Sequence, residues 1–74
     1  MKLYEIEVEG VFFYVPEWTK VVAIDTDGEV YAFDSPPVFN SKFGIWGEGR
    51  NSKNAMPLGW TGNKTLFGAY YEVM

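Results

Sequence analysis

The stretch "AIDTDGEVYAF", residues 23–33, decides the fold, because an Asp-Gly pair stands between two runs of alternating side chains. Asp-Gly in this setting is a strong hairpin signal, since a two-residue type I′ turn needs positive φ at both central positions. We therefore predict strands over residues 20–25 and 29–34, joined by a turn at Asp27 and Gly28.

This turn fixes which side chains of the hairpin share a face. In the predicted register two bulky pairs form the core face, and they are Ile24 with Tyr31 and Val22 with Phe33. The carboxylates of Asp25 and Asp27 are then solvated turn residues. The same acidic segment superficially resembles a calcium loop, but position 12 counted from Asp25 is Pro36, where an EF-hand needs a bidentate Glu. We predict no metal site.

Strand patterns recur on both sides of this hairpin. Residues 3–9 alternate, and residues 11–15 are β-branched and aromatic, which indicates a strand with both faces at least partly covered. We predict a short strand at 43–46, a long loop up to residue 64 and a final strand at 65–73. The fold class is therefore all-β, as a small bent antiparallel sheet or partly closed barrel of five to six strands.

Composition limits the chemistry that is open to this chain. Its 74 residues suit one domain over residues 1–74, and it contains no Cys and no His. The usual zinc ligands, the thiol nucleophile and the imidazole base are therefore missing. We predict no enzyme activity, no catalytic residues and no cofactor. Fourteen aromatic residues (3 Trp, 5 Tyr and 6 Phe) are the expected source of core stability.

The charge distribution points to proteins as partners. A formal net charge of -4 disfavours nucleic acid and anionic membranes, and no apolar run approaches the roughly 18 residues of a membrane helix. Alternation places Glu5, Glu7 and Glu9 on one strand face as a negative row. This row is either the solvated face of an amphipathic strand or a surface that enters a basic groove on a nucleic-acid-handling protein.

The tryptophans are the second set of candidate binding residues. Trp18, Trp46 and Trp60 fall in connections or at strand ends rather than inside the clearest apolar runs. Tryptophan is a favoured interface anchor, although these rings also suit the ends of a small core. We predict that the three tryptophans and the glutamate row bind a partner protein, and a homo-oligomer stays open.

The segment "VPEWTKVVAIDTDGEVYAF…P…W", residues 15–46, resembles short accessory proteins encoded by tailed phages and prophages. Those proteins carry a strand, an Asp-Gly turn and an aromatic-rich strand followed by proline and tryptophan. The matching positions are Ala23, Asp25, Asp27, Gly28, Val30, Tyr31, Phe33, Pro36 or Pro37, and Trp46. The resemblance covers less than half of the chain and brings no catalytic residues.

The resemblance implies a protein that binds host proteins, including defence systems, in the cytoplasm of a bacterial cell. The leading hypothesis is a non-enzymatic phage-type protein that binds and inhibits or redirects a host protein. The alternatives are a self-associating assembly module and a small nucleic-acid-binding β-barrel, which the charge disfavours.

Overall fold

The computed structural model of the protein describes residues 2–62 and 68–73, and it is all-β, as predicted. Eight strands occur in these residues, where the sequence predicted five to six, and no helix does. They are β1 Leu3–Val8, β2 Val11–Pro16, β3 Val21–Ile24, β4 Glu29–Phe33, β5 Val38–Asn40, β6 Ile45–Gly47, β7 Ala55–Trp60 and β8 Ala69–Glu72.

All strand pairs are antiparallel, and they form three sheets rather than a closed barrel. The central sheet has four strands in the order β7-β4-β3-β8, while β1–β2 and β5–β6 are separate two-stranded hairpins. Of the two predicted forms, a bent antiparallel sheet or a partly closed barrel, the described residues adopt antiparallel sheets.

The β1–β2 hairpin contains the two-residue turn that the sequence predicted elsewhere. Glu9 and Gly10 both have positive φ, at 50° and 82°, as a type I′ turn requires. Val8 then lies opposite Val11, and the pairing continues to Leu3 opposite Pro16. Proline is acceptable at this last position because β2 ends there.

The β3–β4 hairpin has a three-residue turn instead. Asp25 N–H donates to Glu29 O at 2.8 Å, Gly28 N–H donates to Asp25 O at 2.9 Å, and Gly28 has φ 96°. Asp27 does not have positive φ, so the predicted type I′ turn is wrong. The geometry matches a type I turn followed by a glycine in the left-handed region, which is the usual three-residue hairpin.

The longer turn shifts the register of this hairpin by one residue. Ile24 lies opposite Val30 and Ala23 opposite Tyr31, so the predicted pairing of Ile24 with Tyr31 is wrong. Bulky side chains are consequently divided between the two faces of the sheet. All four residues of β3 are buried, because both faces of the central sheet are covered.

The β1–β2 hairpin covers one face of the central sheet. Its inner side chains join those of β3 and β4 in the larger core cluster, which consists of Val8, Phe13, Val15, Val22, Ile24 and Val30. The Phe13 ring reaches Gly59 of β7, where a Cβ atom would lie 3.3 Å from the ring. On the opposite face Val21, Ala23 and Phe33 form a smaller cluster, with Tyr31 and Trp46 packed against it.

The predicted long loop contains regular structure. It holds the six-residue strand β7, which pairs with β4 and has a register shift opposite Val30 and Tyr31. Pro57 is tolerated there because β7 lies at the edge of the sheet. The predicted strand at 65–73 is seen as β8, and residues 63–67 lie outside the described residues.

Candidate protein-binding surface

Acidic and aromatic side chains share the outer face of the β1–β2 hairpin. The register places Glu5 opposite Tyr14 and Glu7 opposite Phe12, and we call these four residues the outer hairpin face. Phe12 is 63% exposed and Tyr14 is 62% exposed. Both faces of β2 were predicted to be at least partly covered; its inner face packs on the central sheet, whereas the side chains of its outer face are mostly exposed.

The predicted glutamate row is only partly present on this face. Glu5 and Glu7 lie two apart on β1, whereas Glu9 lies in the turn. The Tyr71 hydroxyl donates to Glu9 Oε2 at 3.0 Å, so the Glu9 side chain reaches across to β8. This hydrogen bond, with some desolvation, raises the pKa of Tyr71 above its usual value. Glu9 therefore connects the β1–β2 turn to β8, and Glu5 and Glu7 remain as the acidic pair.

The three tryptophans lie on different elements and differ in exposure. Trp18 is half-buried in the turn after β2, Trp46 is half-buried in β6, and Trp60 at the end of β7 is 57% exposed. Among the described residues the Trp46 ring packs against those of Phe39 and Tyr70, with centroid separations of 5.0 Å and 5.4 Å. Of the three predicted anchors, Trp60 has the ring that is most available to a partner.

Trp46 is held in place by two hydrogen bonds to the β3–β4 hairpin. Its indole N–H donates to Ile24 O at 3.0 Å, and its backbone N–H donates to Asp25 Oδ1 at 2.7 Å. Asp25 is only 3% exposed, so the prediction of a solvated turn residue is wrong for this side chain. Burial raises the pKa of Asp25, and the Trp46 N–H partly opposes this effect. The hydrogen bonds of Trp46 to Asp25 and Ile24 therefore hold the β5–β6 hairpin against the central sheet.

A groove runs between β1 and β8, beside the outer hairpin face. It encloses about 540 Å³, and its apolar wall is formed by Ile6, Val8, Val22 and Val73. Its acidic rim is formed by Glu7, Glu9 and Glu72, and none of the basic residues that the structure describes lines it. A second cleft of about 330 Å³ continues past Ile6 and Val73 toward Thr19.

Phe12 and Tyr14 are the candidate binding residues that sequence reasoning missed. The run "VFFYV", residues 11–15, is apolar throughout, so alternation could not show which side chains face outward. The turn could have shown it, because a two-residue turn at Glu9 and Gly10 places Tyr14 opposite Glu5. The glycine after an acidic residue was the available signal.

Comparison with known protein families, curated proteins and solved structures finds no match to this chain. Within residues 2–62 and 68–73, no group of three or more Asp and Glu side chains is placed to hold a metal ion. The described part of the chain also contains no helix long and apolar enough to cross a membrane.

Proposed function

We propose that this chain is a non-enzymatic protein-binding module whose outer hairpin face docks on a partner protein. The observation that carries the proposal is the pair of exposed aromatic rings, Phe12 and Tyr14, beside the acidic pair Glu5 and Glu7. The core does not use these rings, because β2 packs on the sheet through Phe13 and Val15. Covering a ring stabilises a complex by on the order of 1–3 kcal/mol.

The surrounding charge indicates the kind of surface that would bind. Two carboxylates beside two rings suit a partner patch in which basic side chains surround an apolar centre. The phage resemblance over residues 15–46 supports a host protein as the partner, with inhibition or redirection of that protein as the outcome. The net charge of -4 disfavours nucleic acid as the ligand of this face.

The experiment is affinity capture from a bacterial lysate with matched variants. Phe12→Ser together with Tyr14→Ser should fold normally, because both side chains are mostly exposed, and should lose the captured partner. The control is Phe43→Ser, which removes a ring that is 66% exposed in the turn between β5 and β6. A partner that binds the double variant as tightly as the unchanged protein would refute this proposal.

A charge variant tests the acidic half of the same face. Glu5→Gln with Glu7→Gln should weaken capture and reduce its salt dependence, since exposed charge pairs act through screened attraction. Glu48→Gln, in the exposed segment after β6, is the matched control. Glu9 is left unchanged because it accepts the Tyr71 hydrogen bond.

Self-association is the competing function, and light scattering on the purified protein separates the two. A dimer that dissociates in the double variant Phe12→Ser and Tyr14→Ser would assign the outer hairpin face to a second copy of this chain. A monomer at all concentrations, with a captured partner, supports the binding module.

A further inference from the structure

The free edge of β1 indicates which kind of partner segment this protein could bind. β1 pairs with β2 along one edge, and no strand of residues 2–62 and 68–73 pairs with the other. A two-residue turn makes the residues that flank it, Val8 and Val11, a hydrogen-bonded pair, and hydrogen-bonded pairs alternate with non-hydrogen-bonded pairs along the two strands beyond it. The backbone groups of Glu5 and Glu7 therefore point away from β2, toward the open edge.

The two faces of this edge differ in chemistry. The carboxylates of Glu5 and Glu7 lie on the outer side of β1. Ile6 and Val8 lie on its inner side, where they line the groove beside β8. A strand added to β1 would place alternate side chains on these two sides, because the strand period is two. Basic residues would lie against the glutamates, and apolar residues would enter the groove.

We propose that β1 binds an extended segment of a partner protein in which Lys or Arg alternates with Val, Ile or Leu. The backbone of the segment extends the hairpin by one strand, which is a known mode of peptide recognition. This inference deepens the proposed function, since it names the chemistry of the partner and adds the groove to the surface that binds it.

The charge on β1 argues for this occupant over a second copy of the chain. Two β1 strands paired antiparallel about Ile6 would place Glu5 of one copy opposite Glu7 of the other. Like charges directly opposite each other destabilise a strand pair, whereas opposite charges stabilise it. The same glutamates protect the edge from self-pairing, as charged residues do on edge strands generally. The edge therefore discriminates in favour of basic strands.

The test uses a synthetic peptide of about seven residues that alternates Lys and Val, a usual strand length. Amide exchange is followed by NMR in the full chain. On binding, the Glu5 and Glu7 amides should become protected by about tenfold or more, while the Ile6 amide, already bonded to β2, changes little. A peptide of equal composition, with its lysines and valines in two blocks, should give no protection.

Two sets of variants show whether the backbone and the charges act as proposed. Glu5→Gln with Glu7→Gln should weaken peptide binding by roughly 2- to 30-fold. Methylating every second peptide nitrogen should abolish binding in one register and spare it in the other, since only alternate N–H groups meet β1. This arm does not depend on any variant of the protein folding.

The outcomes separate this inference from the proposed function. If Phe12→Ser with Tyr14→Ser loses the captured partner but the peptide leaves the Glu5 and Glu7 amides unprotected, the edge inference is overturned and the outer hairpin face stands. If the peptide protects those amides while the double variant still captures the partner, the edge inference stands, and the proposal that the outer hairpin face binds the partner is refuted. Protection that grows with protein concentration, without peptide, would overturn the inference in favour of self-pairing.

Discussion

Replacing Asp25 tests whether one buried carboxylate holds the β5–β6 hairpin on the central sheet. Its Oδ1 accepts the Trp46 backbone N–H at 2.7 Å, and the side chain is almost fully buried. Asp25→Ala leaves that N–H without its partner, and we expect a loss of about 1–3 kcal/mol in the free energy of unfolding. Asp25→Asn keeps an oxygen in the same place, so its loss should be smaller, below about 1 kcal/mol.

The pH dependence distinguishes the charge of Asp25 from its hydrogen bond. Because burial raises its pKa in the folded state, the native protein binds this proton more tightly than the unfolded chain does. The stability contribution of Asp25 is therefore fully present below the unfolded pKa of about 4 and is lost as pH rises through the higher folded pKa. Asn does not titrate, so the stability of Asp25→Asn relative to the unchanged protein should improve from acid to neutral pH.

Urea unfolding followed by far-ultraviolet circular dichroism, at about pH 3 and about pH 7, measures both effects. Glu48→Ala, in the exposed segment after β6, controls for the loss of one surface carboxylate. If Asp25→Ala has the midpoint of the unchanged protein, or if Asp25→Asn is as damaging as Asp25→Ala, the reasoning about this hydrogen bond is refuted.

Three further predictions concern the turns and two buried or bonded side chains. Gly10→Ala should lower the free energy of unfolding by about 1 kcal/mol, since Gly10 has positive φ and open space where a Cβ would lie. Gly44→Ala should lower it more, because the new Cβ would also overlap the Thr26 hydroxyl, and equal urea midpoints for the two variants would contradict this. Thr19→Val should keep or raise the melting temperature, because the Thr19 hydroxyl is buried (2% residue exposure) and has no hydrogen-bond partner among the described residues; a loss above about 1 kcal/mol would count against it. Asp34→Asn should lose stability at neutral pH and approach the unchanged protein in acid. Desolvation acts to raise the pKa of Asp34, but hydrogen bonds from residues 52–54 outweigh it and lower this pKa. The stability that Asp34 contributes is therefore lost as pH falls through its folded pKa, and a pH series of melting temperatures tests this.

Local patterns in the sequence were enough to predict the fold class and several strands. The alternation of residues 3–9 and the Asp-Gly pair of 23–33 correspond to β1 and to the β3–β4 hairpin. The register of that hairpin was not predictable from Asp-Gly alone, because the pair also fits a three-residue turn with only Gly28 at positive φ. One residue of difference in the turn exchanged the pairing of every side chain in the hairpin.

Tertiary contacts explain what the sequence patterns missed. The strand β7 contains Pro57 and Gly59, which disfavour strands locally, yet it pairs along the edge of β4 and accepts the Phe13 ring over Gly59. The sequence indicates a solvated turn residue at Asp25, whereas in the folded protein β6 covers this side chain and the Trp46 N–H donates to its carboxylate. In the candidate site Glu5 and Glu7 were predicted from alternation, whereas Phe12 and Tyr14 required the hairpin register.

The pairing of β8 with β3 has a consequence for the order of folding. The β1–β2 hairpin needs only a two-residue connection, and such units form in about 1–10 μs. β8 must instead return across most of the described sequence to reach β3, so the entropy of closing that long loop is lost before the contacts compensate for it. We expect β8 docking to be the slow step. Until it is complete Val22 stays open to water on that side, and the groove between β1 and β8 does not yet exist.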